Sequence, residues 1–309
     1  MELDINPPQE VFNQLVTLTS ITHGWAHQFY DYKYYKDVYD GFWFVAVLDK
    51  SKGPTENFVA GGLLCRWDVK NGSPLYGIGM FYTKEEYRGK GHGKPVFQKM
   101  MDIVGEDNCV LTAAVDMSQK YADVFGFTKM PPYWHLEAKI QPGKVKVPED
   151  LSGEYTTKNW NEVGEKDLEA YDLTICPRDR KKKIRLWFEQ DEVYARVAFD
   201  STQKIVGYCA IRVVSLNRLC AAPFYAENPE VAARLLADLT KEIPNFEKYD
   251  KLITWYPAIN ENMERLLSRF FPKDAFHIKV DFRTQFTKDF IASRDDVVYS
   301  VTCSSFQFV

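Results

Sequence analysis

The stretch YRGKGHGKPV, residues 87–96, decides the fold that this chain is expected to adopt. Glycines alternate there with basic or potentially basic side chains, in the run Arg88, Gly89, Lys90, Gly91, His92, Gly93 and Lys94. The preceding residues, SPLYGIGMFYT (73–83), are rich in aromatic and aliphatic side chains and predict a strand. Pro95 and the apolar residues at helical spacing that follow it predict a helix. The glycines therefore connect a strand to the N-terminus of a helix.

A helix N-terminus preceded by glycines is suited to bind an anion. Its first turn presents unpaired N–H groups and a partial positive charge, and glycines let successive N–H groups converge. Phosphate or pyrophosphate is the ligand that this arrangement favours. Two other phosphate loops do not fit, because Lys94 precedes a proline and the spacing is G-x-G-x-G rather than G-x-G-x-x-G. A solvated surface turn is the alternative interpretation.

Residues 88–93, RGKGHG, resemble the R/Q-x-x-G-x-G/A pyrophosphate loop of the GNAT superfamily of N-acetyltransferases. The predicted elements around the loop also follow that family's order, with FWFVAVL (42–48) and NFVAGGLLCR (57–66) before it, and CVLTAAV (109–115) and MSQKYADVFGF (117–127) after it. The resemblance covers roughly residues 5–140. It implies an acyl-CoA N-acyltransferase fold, of the α/β (or α+β) class with a mixed sheet.

The second half of the chain repeats the element order of the first. The stretch QPGKVKVPEDLSG (141–153) is rich in proline, glycine and charge and predicts a linker. The segments after it resemble the C-terminal domain of YitH-like tandem GNAT proteins, through IVGYCAIR (205–212), APFYAENPEVAARLL (222–236) and NENMERLL (260–267). We therefore predict two tandem GNAT folds, with ranges that are 1–142 for a GNAT domain with an intact acetyl-CoA loop, 143–154 for the linker and 155–309 for a degenerate second GNAT-like domain.

The second copy lacks a phosphate loop. No glycine follows Gly207, so the position of the loop is taken by residues that cannot bring their N–H groups together. The carboxylates of Glu227 and Glu230 would also repel a phosphate. We predict that the second domain is not catalytic, and that it packs on the first or forms one wall of an acceptor pocket.

The resemblance implies that acetyl-CoA is the acyl donor and that its pyrophosphate binds to the backbone of Gly89–Lys94. The side chains of Arg88, Lys90, His92 and Lys94 would add positive charge. In this family the fourth strand diverges from the fifth, and its main chain meets the pantetheine arm and the thioester. The matching positions are Met80, Phe81 and Tyr82. A backbone N–H there could polarise the thioester carbonyl.

The catalytic residues are predicted from position. In this family, a tyrosine that acts as the general acid often lies four residues before a closing Gly-Phe. This chain has Ala122 at that position, so the neighbouring Tyr121 is the candidate acid. A core tyrosine is the alternative interpretation of Tyr121. Asp116, which follows the fifth strand, is the candidate base. Other residues considered as bases are predicted to be solvated, structural or pocket-lining: Glu85, Glu86, His135, His23 and His27.

Charge and composition argue against several classes of protein. The net charge of −4 argues against general nucleic-acid affinity, and the sequence has no apolar run long enough to predict a membrane span. The acidic N-terminus is unlike a targeting peptide, and six cysteines without a C-x-x-C motif predict reduced thiols in the cytoplasm. We expect no metal ion and an amine acceptor of unknown identity, either a small molecule or a peptide. A non-catalytic acyl-CoA sensor is the main alternative; a kinase lacks its Walker and metal-binding residues.

Overall fold

The computed structural model describes residues 1–68 and 72–304. Contacts within the chain divide it into two compact units. Unit 1 consists of Met1–Met130 with Thr284–Phe290, and unit 2 consists of Pro131–Arg283 with residues 291–304. Residues 305–309, which the sequence assigns to the second domain, lie outside the described residues.

Unit 1 is a mixed sheet with helices packed on it. Its strands are β1 (Glu2–Ile5), β2 (Gly41–Leu48), β3 (Phe58–Trp67), β4 (Leu75–Thr83) and β5 (Asn108–Ala114). Its helices are α1 (Gln9–Thr22), α2 (Asp31–Val38), α3 (Gly93–Val104) and α4 (Ser118–Phe125). The strands lie in chain order, and neighbouring strands are antiparallel except for the parallel pair β4 and β5.

The apolar face of α3 holds the glycine loop against the sheet. Val96, Phe97, Met100 and Val104 recur at helical spacing, and all four are buried in one cluster with side chains of β2 to β5. Burying such a side chain contributes roughly 1.5–3 kcal/mol. The start of α3, and with it the end of the loop, is therefore fixed by the packing of the helix that follows.

Unit 2 is also built on strands of mixed direction. Its strands are β6 (His135–Ile140), β7 (Thr156–Asn159), β8 (Val193–Phe199), β9 (Ile205–Val214), β10 (Arg218–Ala226), β11 (Lys251–Pro257), β12 (Phe276–Phe286, whose last three residues belong to unit 1) and β13 (Val298–Ser300). Its helices are α5 (Glu165–Ile175), α6 (Lys181–Phe188), α7 (Pro229–Glu242) and α8 (Asn262–Phe270). The strand order is β12-β6-β11-β10-β9-β8-β7, and β13 pairs with β10.

The units divide the chain differently from the predicted domain ranges. Residues 131–140, expected to end the first domain, belong to unit 2, where β6 is antiparallel to both β11 and β12. In unit 1, the segment Thr284–Phe290 lies beside β5, and the N–H of Thr287 donates to the carbonyl of Cys109 at 2.9 Å. The ranges 1–142, 143–154 and 155–309 stay predictions of sequence domains.

The predicted mixed α/β fold class is confirmed. Both units alternate strands and helices in the order that the sequence indicates, and each contains one parallel strand pair among antiparallel neighbours, β4 with β5 and β10 with β11. Among the helices of the described ranges, none is both long enough and apolar enough to cross a membrane.

Candidate active site

Strands β4 and β5 diverge at the edge of the sheet where the glycine loop begins. They pair from Leu75 to Ile78, although β4 continues to Thr83 and β5 to Ala114. The register between β4 and β3 also shifts here, and Met80 has a positive φ of 50°. A bulge of this kind bends the strand and redirects its main chain. The sequence-predicted positions Met80, Phe81 and Tyr82 therefore lie on a strand segment that has left its parallel partner.

The glycines of the loop meet two different requirements. Gly89 and Gly91 have φ values of 74° and 83°, a region that residues with a Cβ rarely adopt. Gly93 begins α3, and a Cβ on it would stand 2.9 Å from Oγ1 of Thr83 and 3.1 Å from the ring of Phe81. Glycine is thus needed for the turn at the first two positions, and for close packing on the end of β4 at the third.

The N-terminus of α3 keeps donors available for a ligand. His92 occupies the N-cap position without a side-chain hydrogen bond to the first turn. The N–H of Lys94 donates to the carbonyl of Gly91 at 3.2 Å. Over the described residues, the N–H groups of Gly91, His92 and Gly93 have no acceptor within the chain. These adjacent donors, together with the helix dipole, suit the anion that the sequence predicts at this loop, and binding there stays a prediction.

Arg88 fastens the loop to the end of β4. Its Nε donates to the carbonyl of Thr83 at 3.1 Å, and its guanidinium lies 5.4 Å from the ring centroid of Tyr82. A terminal nitrogen of Arg88 is 3.1 Å from Nε2 of His23. Lys90 and Lys94 are exposed and add positive charge around the donors. Arg88 is therefore a positioning residue as well as a cation.

Two further residues contact the loop although the sequence did not predict these contacts. His23 ends α1, and its ring lies edge-on to Tyr82 with centroids 5.5 Å apart. Lys52, from the connection between β2 and β3, donates from Nζ to the hydroxyl of Tyr87 at 3.2 Å. Their sequence separation from the loop is too large for any short motif to reveal them.

Tyr121 lies in the core of unit 1. It is 8% exposed, and its ring stacks on Phe97 with centroids 5.4 Å apart. Burial, and to a lesser extent the negative charge of Asp116, raises the pKa of the Tyr121 phenol well above its usual value. The phenol therefore stays protonated at neutral pH. The carboxylate of Asp116 is exposed just beyond β5. The catalytic roles of both residues stay predictions.

The other candidate bases differ in their surroundings. His27 is buried, with Nδ1 3.5 Å from Oδ2 of Asp31 and 3.3 Å from the hydroxyl of Tyr35. His135 is in unit 2, where it stacks on Phe282 at 4.6 Å, and burial lowers its pKa to about 3. A neutral, buried His135 fits the structural interpretation.

In unit 2, the helix that corresponds to α3 has a capped N-terminus. The side chain of Asn228 accepts hydrogen bonds from the N–H groups of Glu230 and Val231, both at 3.0 Å. Glu227 makes a two-bond ion pair with Arg294, which keeps a carboxylate near this helix end. The donors that a phosphate would need are thus already engaged.

In unit 2, β13 lies beside the parallel strands β10 and β11. β10 and β11 pair in parallel from Arg218 to Cys220, and further along β10 pairs antiparallel with β13. β13 also bonds to β11, since Oγ1 of Thr254 donates to the carbonyl of Tyr299 at 3.0 Å. In unit 2, a further strand of the chain therefore lies beyond the end of the parallel pairing, the position at which β4 and β5 diverge in unit 1.

Two family models match the chain. Residues 12–127 match a model described as "Acetyltransferase (GNAT) family", and residues 168–269 match one described as "Acetyltransferase (GNAT) domain". An uncharacterized protein of Caenorhabditis elegans is 28% identical over 169 residues, which are 52% of this chain and 52% of the relative. The chain thus spans about half the length of that curated relative.

Solved structures share the fold over nearly the whole chain. A protein of Pyrococcus horikoshii superposes with a TM-score of 0.68 at 13% identity, covering 99% of this chain and 96% of its own. A tandem GNAT protein from the clavulanic acid biosynthesis pathway gives 0.63 at 11% identity, with coverages of 92% and 98%. A GCN5-related N-acetyltransferase from Sphaerobacter thermophilus gives 0.57 at 12%, with 95% and 97%. At these identities the likeness supports the fold alone.

Proposed function

Because the chain carries two GNAT domains in tandem and so belongs to the GNAT superfamily, we propose that it transfers an acetyl group from acetyl-CoA to an amine. The observation that carries the proposal is the uncapped N-terminus of α3, which stands at the end of a strand that diverges from its parallel neighbour. We propose attack by the amine on the thioester in a ternary complex, since no cysteine or serine sits in a nucleophile elbow.

The donor would bind along the edge between β4 and α3. The N–H groups of Gly91, His92 and Gly93 suit the pyrophosphate, and Lys90 and Lys94 add cationic charge around it. The pantetheine arm would enter between β4 and β5, beside Met80–Tyr82, where a backbone N–H could hold the developing oxyanion. The first GNAT domain is thus the proposed site of catalysis.

Two proton movements accompany the transfer. An amine with a pKa near 10 must lose a proton before it attacks. Asp116 is the proposed acceptor of that proton, because it is exposed at the end of β5. The departing thiolate, with a pKa near 8.5, would gain a proton from Tyr121, whose raised pKa keeps the phenol protonated.

The second domain is proposed to be non-catalytic. The cap on α7 and the insertion of β13 leave neither free donors nor an open gap for a pantetheine arm. All six cysteines are free, which supports the proposed cytoplasmic location. The proposal requires no metal ion; the acceptor is a small molecule or a peptide that carries an amine.

A non-catalytic acyl-CoA sensor is the second candidate. The observation that favours it is the environment of Tyr121, which is packed against Phe97 and Phe127 while the family's tyrosine position holds Ala122. A sensor would keep the donor site and lose turnover.

Release of free CoA thiol distinguishes the two candidates. The protein is incubated with acetyl-CoA and a library of amines, and the thiol is followed by a chromogenic reagent. An enzyme gives thiol release that depends on at least one amine and that is lost in the Gly91→Asp variant. Saturable binding of acetyl-CoA without release for any amine contradicts the enzyme and supports the sensor.

Replacing Tyr121 with phenylalanine tests the proton donor. General acids typically contribute about 10²–10⁴-fold, and the thiolate can also leave unprotonated, so we expect a rate reduced about tenfold to a hundredfold. Because the raised pKa keeps the phenol protonated through neutral pH, the loss should be uniform across that range. The measurement is the pH–rate profile with whichever amine is active.

Tyr76→Phe serves as the matched control for Tyr121→Phe. Tyr76 is also a buried tyrosine of the unit 1 core, at 7% exposure, and loses the same hydroxyl. Its rate should stay close to that of the wild type. An unchanged rate for Tyr121→Phe at every pH would leave Tyr121 as a packing residue.

A further inference from the structure

Three basic or potentially basic side chains gather around the ring of Tyr87, just before the glycine loop. Nζ of Lys52, which donates to the phenol oxygen at 3.2 Å, lies 5.6 Å from the ring centroid. Nζ of Lys90 lies 5.7 Å from the same centroid, and the ring of His92 is edge-on to it with centroids 5.6 Å apart. This group, the Tyr87 cluster, combines the connection between β2 and β3 with the loop itself.

The cations of the Tyr87 cluster are not neutralised by ion pairs. Within the part of the chain that the structure describes, no carboxylate lies within ion-pair distance of Lys52, Lys90 or His92. The hydrogen bond to the phenol raises the pKa of the Lys52 ammonium, and the carboxylates of Asp49 and Glu86 act on it more weakly from a distance. Lys52 is therefore charged at neutral pH, and both lysines are exposed to solvent.

The Tyr87 cluster adjoins the donors that suit the pyrophosphate. The N–H of Lys90 donates to the carbonyl of Tyr87 at 3.4 Å, so both residues belong to one turn of the loop. Lys90 and His92 flank Gly91, whose N–H is one of the three adjacent donors at the start of α3. A second anionic group on the same ligand, a few bonds away from the first, would therefore find the cluster close at hand.

Packing on a tyrosine ring explains one of these lysines better than it explains two. A lysine stem often covers an aromatic ring while its ammonium stays in water. Two ammonium groups held at the same ring repel each other, and an anion bound between them relieves that repulsion. A phosphate monoester suits this role, because it carries a charge of about −1.5 to −2 at pH 7 and three acceptor oxygens.

We propose that the Tyr87 cluster binds the 3′-phosphate of the acyl donor, and so selects CoA thioesters over donors that lack this group. In CoA, a single ribose carries both the pyrophosphate and the 3′-phosphate monoester. Lys52 and Lys90 supply charge, His92 can donate from its ring, and Tyr87 holds the three together. This inference rests on the proposed function, because it adds a second phosphate subsite to the proposed acetyl-CoA site.

Binding of two donors to the full-length protein tests the subsite. Isothermal titration calorimetry gives the Kd of acetyl-CoA and of acetyl-3′-dephospho-CoA, which carries the same thioester and pyrophosphate without the 3′-phosphate. The ratio of the two Kd values therefore isolates the contribution of that phosphate. The wild type should bind acetyl-CoA about tenfold more tightly or better, since charge-assisted contacts to a phosphate are lost with the other donor.

Lys52→Met removes one charge of the cluster while keeping the length of the side chain. The preference for acetyl-CoA should fall to about threefold or less, and the Kd of the dephospho donor should stay unchanged. Lys52→Arg keeps the charge and should keep the preference. Lys50→Met is the matched control, because Lys50 is an exposed lysine of the same connection whose Nζ instead lies 2.8 Å from Oδ2 of Asp4.

The possible failures are distinguishable from one another. Equal affinities of the wild type for the two donors would overturn the subsite and leave the proposed acetyl-CoA site standing. An equal loss of preference in Lys50→Met and Lys52→Met would also overturn it, because the charge of the whole surface would then explain the effect. If neither donor binds, the proposed function is wrong, and the subsite with it.

Discussion

Replacing Gly91 with aspartate is expected to weaken acetyl-CoA binding by at least about 3 kcal/mol, more than about a hundredfold. Gly91 has a φ of 83° and open space where a Cβ would stand, so the new side chain fits but strains the backbone. Its carboxylate would stand among the N–H groups that the pyrophosphate needs, and would repel the phosphates. Isothermal titration calorimetry should give one acetyl-CoA per wild-type chain and none in the variant.

Gly105→Asp is the matched control for Gly91→Asp. Gly105 follows the other end of α3, with a φ of 57° and equally open space, so the same residue change brings similar strain at a distance from the loop. Its acetyl-CoA affinity should stay within about threefold of the wild type, since surface substitutions away from a site have small effects. Two equivalent sites per chain, or unchanged affinity in Gly91→Asp, would contradict the assignment of the loop.

The elements around the loop could be predicted because their signals are local. The aromatic and aliphatic residues of 73–83, the glycines and Pro95 each constrain the chain within a few residues of themselves. The structure accordingly has β4, the loop and α3 where the sequence indicates them. The two tandem GNAT domains are likewise confirmed.

The assignment of β6 to unit 2 and of Thr284–Phe290 to unit 1 could not be predicted in this way. Residues 135–140 and 284–286 both lie in strands, and nothing in their own sequence states which unit each one joins. That choice depends on long-range pairing, such as the register of Leu252 with Ile140 in unit 2. The insertion of β13 beside β10 has the same origin, because three residues are too few for a periodic signal.

The residues of the candidate site that lie within the loop could be predicted from the sequence, whereas those that come from distant elements could not. Gly89, Gly91 and Gly93 show their roles through spacing, whereas His23 and Lys52 reach the loop from distant elements. The sequence also could not show which of Tyr121 and Ala122 faces the core. The helical pattern indicates that both lie on α4, but the packing against Phe97 decides that Tyr121 is the buried one.

Replacing Asp172 with alanine is expected to lower the free energy of unfolding by about 3–5 kcal/mol. Both members of the Asp172–Arg180 pair are buried, so removal of the carboxylate takes the acceptor of two hydrogen bonds from Arg180 and of one from the Tyr208 hydroxyl. The lost stability comes from buried donors that no longer have this acceptor, and it is larger than the net contribution of the ion pair. Urea denaturation followed by tryptophan fluorescence measures the change.

Two further variants separate buried charge from ion pairing in general. Asp37→Ala removes one partner of the Lys33–Asp37 pair, in which Lys33 is 81% exposed, and should cost a small fraction of the Asp172→Ala change because water replaces the lost partner. The double variant Asp172→Leu/Arg180→Met removes both buried charges together and should regain most of the lost stability. If Asp172→Ala unfolds at the same urea concentration as Asp37→Ala, the interior of unit 2 is hydrated enough to solvate Arg180, and the buried Asp172–Arg180 pair contributes no more to stability than an exposed one.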